Sequence, residues 1–498
     1  MQASSESSRV NRRRLLQIAL ATSAGSAVLA GNRAVFAQAT PEDATPVAPA
    51  LPPNCEIYAD GLNNPRYLAI ADDGTIYVTE AGSAGDEILY QSTPETGTPA
   101  PAEQVGARGL TGQVTAIAPD GTKSVVASGL PSYLFGTEVI GPAGIAIAGD
   151  KLLVANGGAG PMTPMVEPLE NEDSVLSIDP ETGDVTNIAN IGLFERSDNP
   201  DPNAVDSNLY DLISTGDAIY VTDAGGNTVY KVDPATNEFS VYAVIPGLPG
   251  PGANPARQGA SEIDPVPTSL AMLDDGTLLV GLLSGAPFTP GSAGILKVTP
   301  DGTVSNFAGG LTMVTDVAVA PDGTIYATQL SADFLGDPPK PGNIVRVRVD
   351  GASEIVLDGL VTPNGMAFDA NGDLYFVMNT IGPSGVIVKC TDPASLGSGE
   401  DATADAGAGA SATVVASELK FEPKTIDVPA NTDFSLTVRN DGVLPHDFTC
   451  SPLKLNSGLL QTGEEVVLTI NAPAGDYQFF CSVVGHKQAG MIGTLHVS

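Results

Sequence analysis

The sequence predicts an all-β fold in two parts, a six-bladed β-propeller followed by a Greek-key β-sandwich. Three observations predict it. A short apolar strand motif recurs six times between Cys55 and Cys390, a Gly/Ala/Asp/Ser-rich stretch interrupts the chain after it, and apolar alternation resumes from Ala412. A length of 498 residues calls for two or more domains, and 42% hydrophobic against 16% charged residues supplies enough apolar content for cores. With 58 acidic against 22 basic residues and a net charge of −36, the chain has no basic excess to displace counterions from nucleic-acid phosphates, so nucleic acid is excluded as a partner. Three histidines in the whole chain exclude any site built from many imidazoles.

Residues 1–39 read as an export signal. Asn11-Arg12-Arg13-Arg14-Leu15-Leu16-Gln17 leads a moderately apolar Ala/Ser/Leu stretch from Ile18 to Ala30, and Ala37-Gln38-Ala39 supplies a small-x-small cleavage site. This resembles a twin-arginine signal, which implies an exported protein, whether periplasmic, cell-wall-associated or extracellular. An ordinary secretory signal or a membrane anchor is the alternative, although the apolar stretch is weak for a membrane-spanning helix. No other segment is long and apolar enough to span a bilayer. Residues 40–53 form a Pro/Ala-rich linker.

The propeller is expected over residues 54–390. Its marker is the second strand of each blade: Ile76-Tyr77-Val78, Leu152-Leu153-Val154, Ile219-Tyr220-Val221, Leu278-Leu279-Val280, Ile325-Tyr326-Ala327 and Leu374-Tyr375-Phe376. Turns such as Asp73-Gly74, Asp275-Gly276, Asp322-Gly323 and Asn371-Gly372 separate the strands, as a small twisted meander requires. Gly/Pro-rich insertions such as Ile245 to Pro267 lengthen the early repeats. Cys55 to Leu62 aligns with Ser353 to Leu360, an outer strand, so the N-terminal strand is expected to complete the last blade. Cys390 would end its antiparallel neighbour where Cys55 begins, and export would favour a disulfide between them over two buried thiols.

Val266 to Val280, Pro287 to Ser292 and Thr315 to Tyr326, with Gly61 to Arg66, resemble the ScyD/ScyE family of secreted propellers. That resemblance implies the fold more firmly than any activity. Gly61 to Gly82 also resembles quinoprotein sugar dehydrogenases, but the histidine base of that family is missing, since no histidine lies between residues 40 and 445. Copper centres of the galactose-oxidase or nitrous-oxide-reductase kind fail for the same reason. Glu80, Asn156, Asp223, Gln329 and Asn379 follow the second strands at matching positions. They would either ring one end of a central channel and hold Ca²⁺ through oxygen ligands, or cap the turns where strands end.

Residues 391–411 read as a flexible linker, and residues 412–498 as the sandwich. Its strands are expected at Thr425 to Ala430, Asp433 to Val438 and Glu465 to Ile470. Two motifs carry the chemistry: Asn440 to Phe448, containing His446 and Asp447, and Tyr477 to Met491, containing Cys481, His486 and Met491. Two imidazoles, one thiolate and one thioether make a ligand set soft enough for Cu(I) and acceptable to Cu(II). The Cys-x4-His-x4-Met loop lets one connection between strands supply three ligands, while His446 comes from a distant strand.

These motifs resemble the plastocyanin/azurin cupredoxins, with the loop spacing of auracyanin. The resemblance implies His446, Cys481 and His486 as strong ligands of a single type 1 copper and Met491 as the weak axial one. Asp447 stands where many cupredoxins have Asn, which leaves the reduction potential open. One Cys in the loop, rather than two, makes the site mononuclear. Cys450 reads as a buried free thiol and His496 as a surface strand residue.

The function expected is one-electron transfer by an exported copper protein, with the propeller binding a redox partner or a small ligand. The acidic body would repel an acidic partner. The alternatives are a Ca²⁺-dependent, lactonase-like propeller hydrolase with an accessory copper domain, and a structural or copper-buffering exported protein.

Overall fold

The computed structural model describes residues 51–397 and 411–497, apart from the loop segments 92–104 and 159–166 and gaps of one to three residues. The expected signal at 1–39 and all but the end of the 40–53 linker lie outside the described residues. The chain divides into two compact units, Met1–Gly399 and Glu400–Ser498.

The apolar triplets become the second strands of six antiparallel sheets, as Ile76–Glu80, Lys151–Asn156, Ile219–Asp223, Leu278–Leu282, Ile325–Gln329 and Leu374–Met378. Leu278–Leu282 and Leu374–Met378 are buried at every residue, because neighbouring sheets cover both faces, and a strand covered on both sides needs apolar side chains throughout. The turn before each strand is set by its glycine. Gly74, Gly276 and Gly323 sit at φ between +82° and +86°, where a Cβ would be strained, and the preceding Asp73, Asp275 and Asp322 each accept the backbone N–H of the following Thr. The early insertions are a long hairpin, Val105–Ile117 with Lys123–Phe135, and a two-stranded ribbon of Leu248–Pro249 with Glu262–Ile263.

The first strands of the sheets are Pro65–Ile70, Pro142–Ala148, Leu209–Ser214, Pro267–Met272, Val314–Val319 and Met366–Phe368. Each packs on the first strand of the next sheet, and Met366–Phe368 also packs on Pro65–Ile70. Polar side chains stitch them. The Asp211 carboxylate accepts Leu270 N–H at 2.8 Å, Thr268 Oγ1 donates to the Val314 carbonyl at 2.7 Å, and the Asp316 carboxylate accepts Met366 N–H at 2.6 Å. Tyr67 Oη lies 2.7 Å and 2.5 Å from the carbonyl oxygens of Thr268 and Thr315. Burial pushes both carboxyls up, Asp211 well above the usual range and Asp316 to about 7.

The last sheet joins the two ends of the unit. Cys55–Leu62 is its outer strand and pairs antiparallel with Gly385–Cys390, with Cys55 opposite Cys390. The two cysteines form a disulfide, so the two-thiol alternative falls. The flexible-linker expectation is corrected at its start, because residues 391–397 belong to this unit. Thr391 N–H bonds the Asn54 carbonyl, Pro393–Ser395 form a 3-10 turn, Leu396 is buried, and Arg346 donates to the carbonyls of Ala394 and Leu396. A composition poor in apolar residues hid one well-placed leucine.

The second unit is a sandwich of a four-stranded sheet, ordered Lys420–Glu422, Ser411–Ser417, Phe434–Asn440, Glu465–Ile470, and a five-stranded sheet, ordered Thr425–Val428, Ile492–Val497, Gly475–Phe480, Thr449–Cys450, Leu455–Asn456. Phe421, Phe434, Phe448 and Phe479 fill the space between them, with Phe448 and Phe479 stacked at 4.4 Å. Among the described residues no helix is long and apolar enough to cross a membrane.

Candidate metal centre

His446 reaches the site from the turn that follows Phe434–Asn440. Two backbone bonds with Leu460, N–H to carbonyl in each direction at 3.0 Å and 2.7 Å, clamp it. The turn is held by Asn440, whose amide donates to the carbonyls of Leu444 and Leu460 and whose Oδ1 accepts Gly442 N–H. Cys481 follows directly on the strand Gly475–Phe480, and His486 lies in the loop after it. That loop is closed by Cys481 N–H to the Met491 carbonyl at 3.2 Å and Met491 N–H to the His486 carbonyl at 3.1 Å. Backbone bonding therefore brings the buried Met491 beside Cys481 and His486.

The donor atoms converge. His446 Nδ1 and His486 Nδ1 are 3.2 Å apart, and Cys481 Sγ is 4.0 Å from the first and 3.5 Å from the second. Atoms sharing one ion at about 2 Å from each nitrogen stand at such separations, so the residues fit a single ion. Among the described residues this is the one cluster of three or more His, Cys, Asp or Glu side chains of metal-binding size. Cys481 and His446 are fully buried while His486 is half-buried. Burial pushes the Cys481 thiol up, so an incoming ion must displace a bound proton.

Asp447 ties the ligand segments together. Its N–H approaches Cys481 Sγ at 3.5 Å, and its carboxylate accepts the N–H and hydroxyl of Ser482 and the Thr449 hydroxyl. Burial works to raise its pKa, but the hydrogen bonds outweigh burial and hold it below the usual carboxylate range. Ser482 and Thr449 carry no ligand chemistry of their own, so sequence reasoning passed over them; their adjacency to Cys481 and to Asp447 was the available signal. Cys450 is buried on Thr449–Cys450 and lies outside the cluster, and the exposed His496 bonds Asp476.

The five strand-end side chains of the first unit are engaged locally. Glu80 accepts Asn63 N–H, Gln113 and the Thr115 hydroxyl; Asp223 accepts the Ser207 hydroxyl and the N–H groups of Asn208, Gly225 and Gly226. Gln329 bridges Thr312 N–H and Asn343, Asn156 donates to the Gly157 carbonyl, and Asn379 to the Ser384 carbonyl. Asp223 thus caps the turn that follows its strand, whereas Glu80 and Gln329 also bond side chains on the neighbouring strands Val105–Ile117 and Gly342–Val347.

Residues 394–493 match the family described as Cupredoxin-like domain, and residues 207–407 the one described as SMP-30/Gluconolactonase/LRE-like region. Similar solved structures include auracyanin A, a "blue" copper protein from Chloroflexus aurantiacus, at 21% identity over 18% of this chain and 100% of its own, with a TM-score of 0.16. Reduced auracyanin from Roseiflexus castenholzii is similar at 19% identity over 18% of this chain and 99% of its own, with a TM-score of 0.17. A virginiamycin B lyase from Staphylococcus aureus is similar at 13% identity over 63% of this chain and 76% of its own, with a TM-score of 0.34. No curated protein matches the chain. The chain thus carries a C-terminal cupredoxin domain and a preceding propeller-like region. His446, Cys481 and His486, with Met491 beside them, are a type 1 copper ligand set of the electron-transfer kind.

Proposed function

We propose that the protein is an exported electron carrier in which the cupredoxin domain moves single electrons and the first unit docks the redox partner or a small ligand. The observation that carries this is the convergence of two imidazole nitrogens and one thiol within 4.8 Å in a buried pocket. Copper held by this set would supply one-electron chemistry between Cu(I) and Cu(II). The chain's part is to hold the donors still: the Leu460 clamp on His446, the Met491–His486 loop closure and the Asp447–Ser482 bonds keep the ligand frame rigid, so little need rearrange when the charge changes. His486, the one of the three donors that is not fully buried, would be the path by which an electron reaches or leaves bound copper.

The six sheets of the first unit form a closed six-bladed propeller in this reading. Cyclic packing of the first strands supports it, as does completion of the last sheet by Cys55–Leu62. The kinship with ScyD/ScyE propellers rests on the sequence stretches already quoted, and export rests on the arginine-led segment 11–17 and the Ala37-Gln38-Ala39 site. The test is a redox titration of the copper-loaded protein, followed by electron exchange with a basic and an acidic redox protein. One reversible electron per chain is expected, with faster exchange to the basic partner and a rate that falls with salt. Copper that does not cycle would remove the carrier reading.

A further inference from the structure

A partly open cleft with a cavity volume of about 130 Å³ lies in the first unit. Its walls come from all six sheets and their loops: Arg66 from the first, Ala143 from the second, Tyr210 from the third, Phe288 from the loop of the fourth, Met313 and Phe334 from the fifth and Ile381 from the sixth. Three aromatic rings and two long apolar side chains make this wall. Phe288 and Phe334 meet edge to face at 5.7 Å. Phe288 and Met313 are held at φ +54° and +48°, a left-handed backbone that large side chains rarely adopt, and such strain concentrates where the fold must aim a side chain. Ile381 stays 37% exposed at the cleft.

One cation faces this surface. Arg66 donates to the Val139 carbonyl and forms no ion pair among the described residues, although Glu138 also lines the cleft. A guanidinium has five N–H donors in a fixed fork, so most remain for a ligand.

We propose that this cleft binds an apolar, aromatic small molecule carrying one anionic oxygen group, with the rings against Tyr210, Phe288 and Phe334 and the anion on Arg66. The inference deepens the ligand-binding part of the proposed function and rests on the sheets forming one propeller. It is independent of the copper site.

The probes are 8-anilinonaphthalene-1-sulfonate, aromatic and anionic, and N-phenyl-1-naphthylamine, its uncharged counterpart, added to the copper-free full chain. The sulfonate is expected to bind saturably at one site per chain. Arg66→Gln should weaken it tenfold or more and leave the uncharged probe within twofold, whereas Ile381→Asp should weaken both. Leu444→Ser, which alters the exposed apolar residue near the metal centre, should change neither. Sulfonate binding that is unsaturable, or indifferent to Ile381→Asp, overturns the site. Equal loss of both probes in Arg66→Gln, with an unchanged thermal midpoint, overturns the anion assignment. Loss of the thermal transition itself in Arg66→Gln is resolved by Arg66→Lys, which must retain more sulfonate affinity than Arg66→Gln if the charge is what binds. A wild-type chain that folds with its disulfide intact but binds neither probe refutes the cleft and leaves the propeller standing.

Discussion

Replacing both Cys55 and Cys390 by Ala tests whether the first unit is closed by its N-terminal strand. The bond spans 335 residues, so in the chain-entropy account it removes about 5–6 kcal/mol of loop freedom from the unfolded chain. The native state adds little to this. Cys55–Leu62 keeps its ladder with Gly385–Cys390, and Ala59 and Leu62 keep their places in the core, so the folded variant loses little of its own packing. Measured disulfide removals fall at about 2–5 kcal/mol, and the length of this loop puts the expected loss at about 3–5 kcal/mol. The assay is urea unfolding of the copper-free protein, followed by circular dichroism and tyrosine fluorescence, for which 12 Tyr and no Trp make a uniform probe. The first unit's transition should move to lower urea while that of the second unit stays. A loss below about 1 kcal/mol would refute the reasoning, because the N-terminal strand would then not be closing a long loop.

Asp316 supplies a pH dependence. Its carboxyl, raised to about 7 in the fold against about 3.9 unfolded, holds its proton more tightly when folded; the stability it contributes is complete below about pH 4 and is lost as pH rises through 7. Asp316→Asn, which keeps an oxygen for Met366 N–H, should flatten the fall in urea midpoint between pH 4 and 7.5, and an unchanged slope would contradict it. Asp447→Asn removes a negative charge beside Cys481 and should raise the reduction potential by about 50–100 mV, on the order of 1–2 kcal/mol of charge interaction, as read by spectroelectrochemistry. Phe479→Ala, in the aromatic centre of the sandwich, should cost the second unit about 3–5 kcal/mol in thermal or urea unfolding and leave the first unit's transition in place.

Much of this was legible in the chain because the signals are local. The six apolar triplets are read by a period set by sheets buried on both faces, and Asp-Gly turns mark their starts. His446 and His486 stand out because a chain with three histidines spends two of them in metal-spaced motifs. The disulfide follows from aligning two outer strands. What escaped depends on side chains far apart in sequence. Tyr67 reaches backbone carbonyls 201 and 248 residues away, and no local pattern announces it. The Arg66 cleft is assembled from strands and loops of every sheet, and Leu396 sits in a stretch whose composition reads as linker. The matching positions of Glu80, Asn156, Asp223, Gln329 and Asn379 come from the repeated second strand, which each of them ends or directly follows.

The central claim is that His446, Cys481 and His486 hold one type 1 copper, and visible absorption of the copper-loaded protein tests it most directly. Wild type should show an intense thiolate-to-copper band that ascorbate bleaches and an oxidant restores, at one copper per chain, and Cys481→Ser should abolish it. Copper bound without that band, or a band that survives Cys481→Ser, would contradict the account.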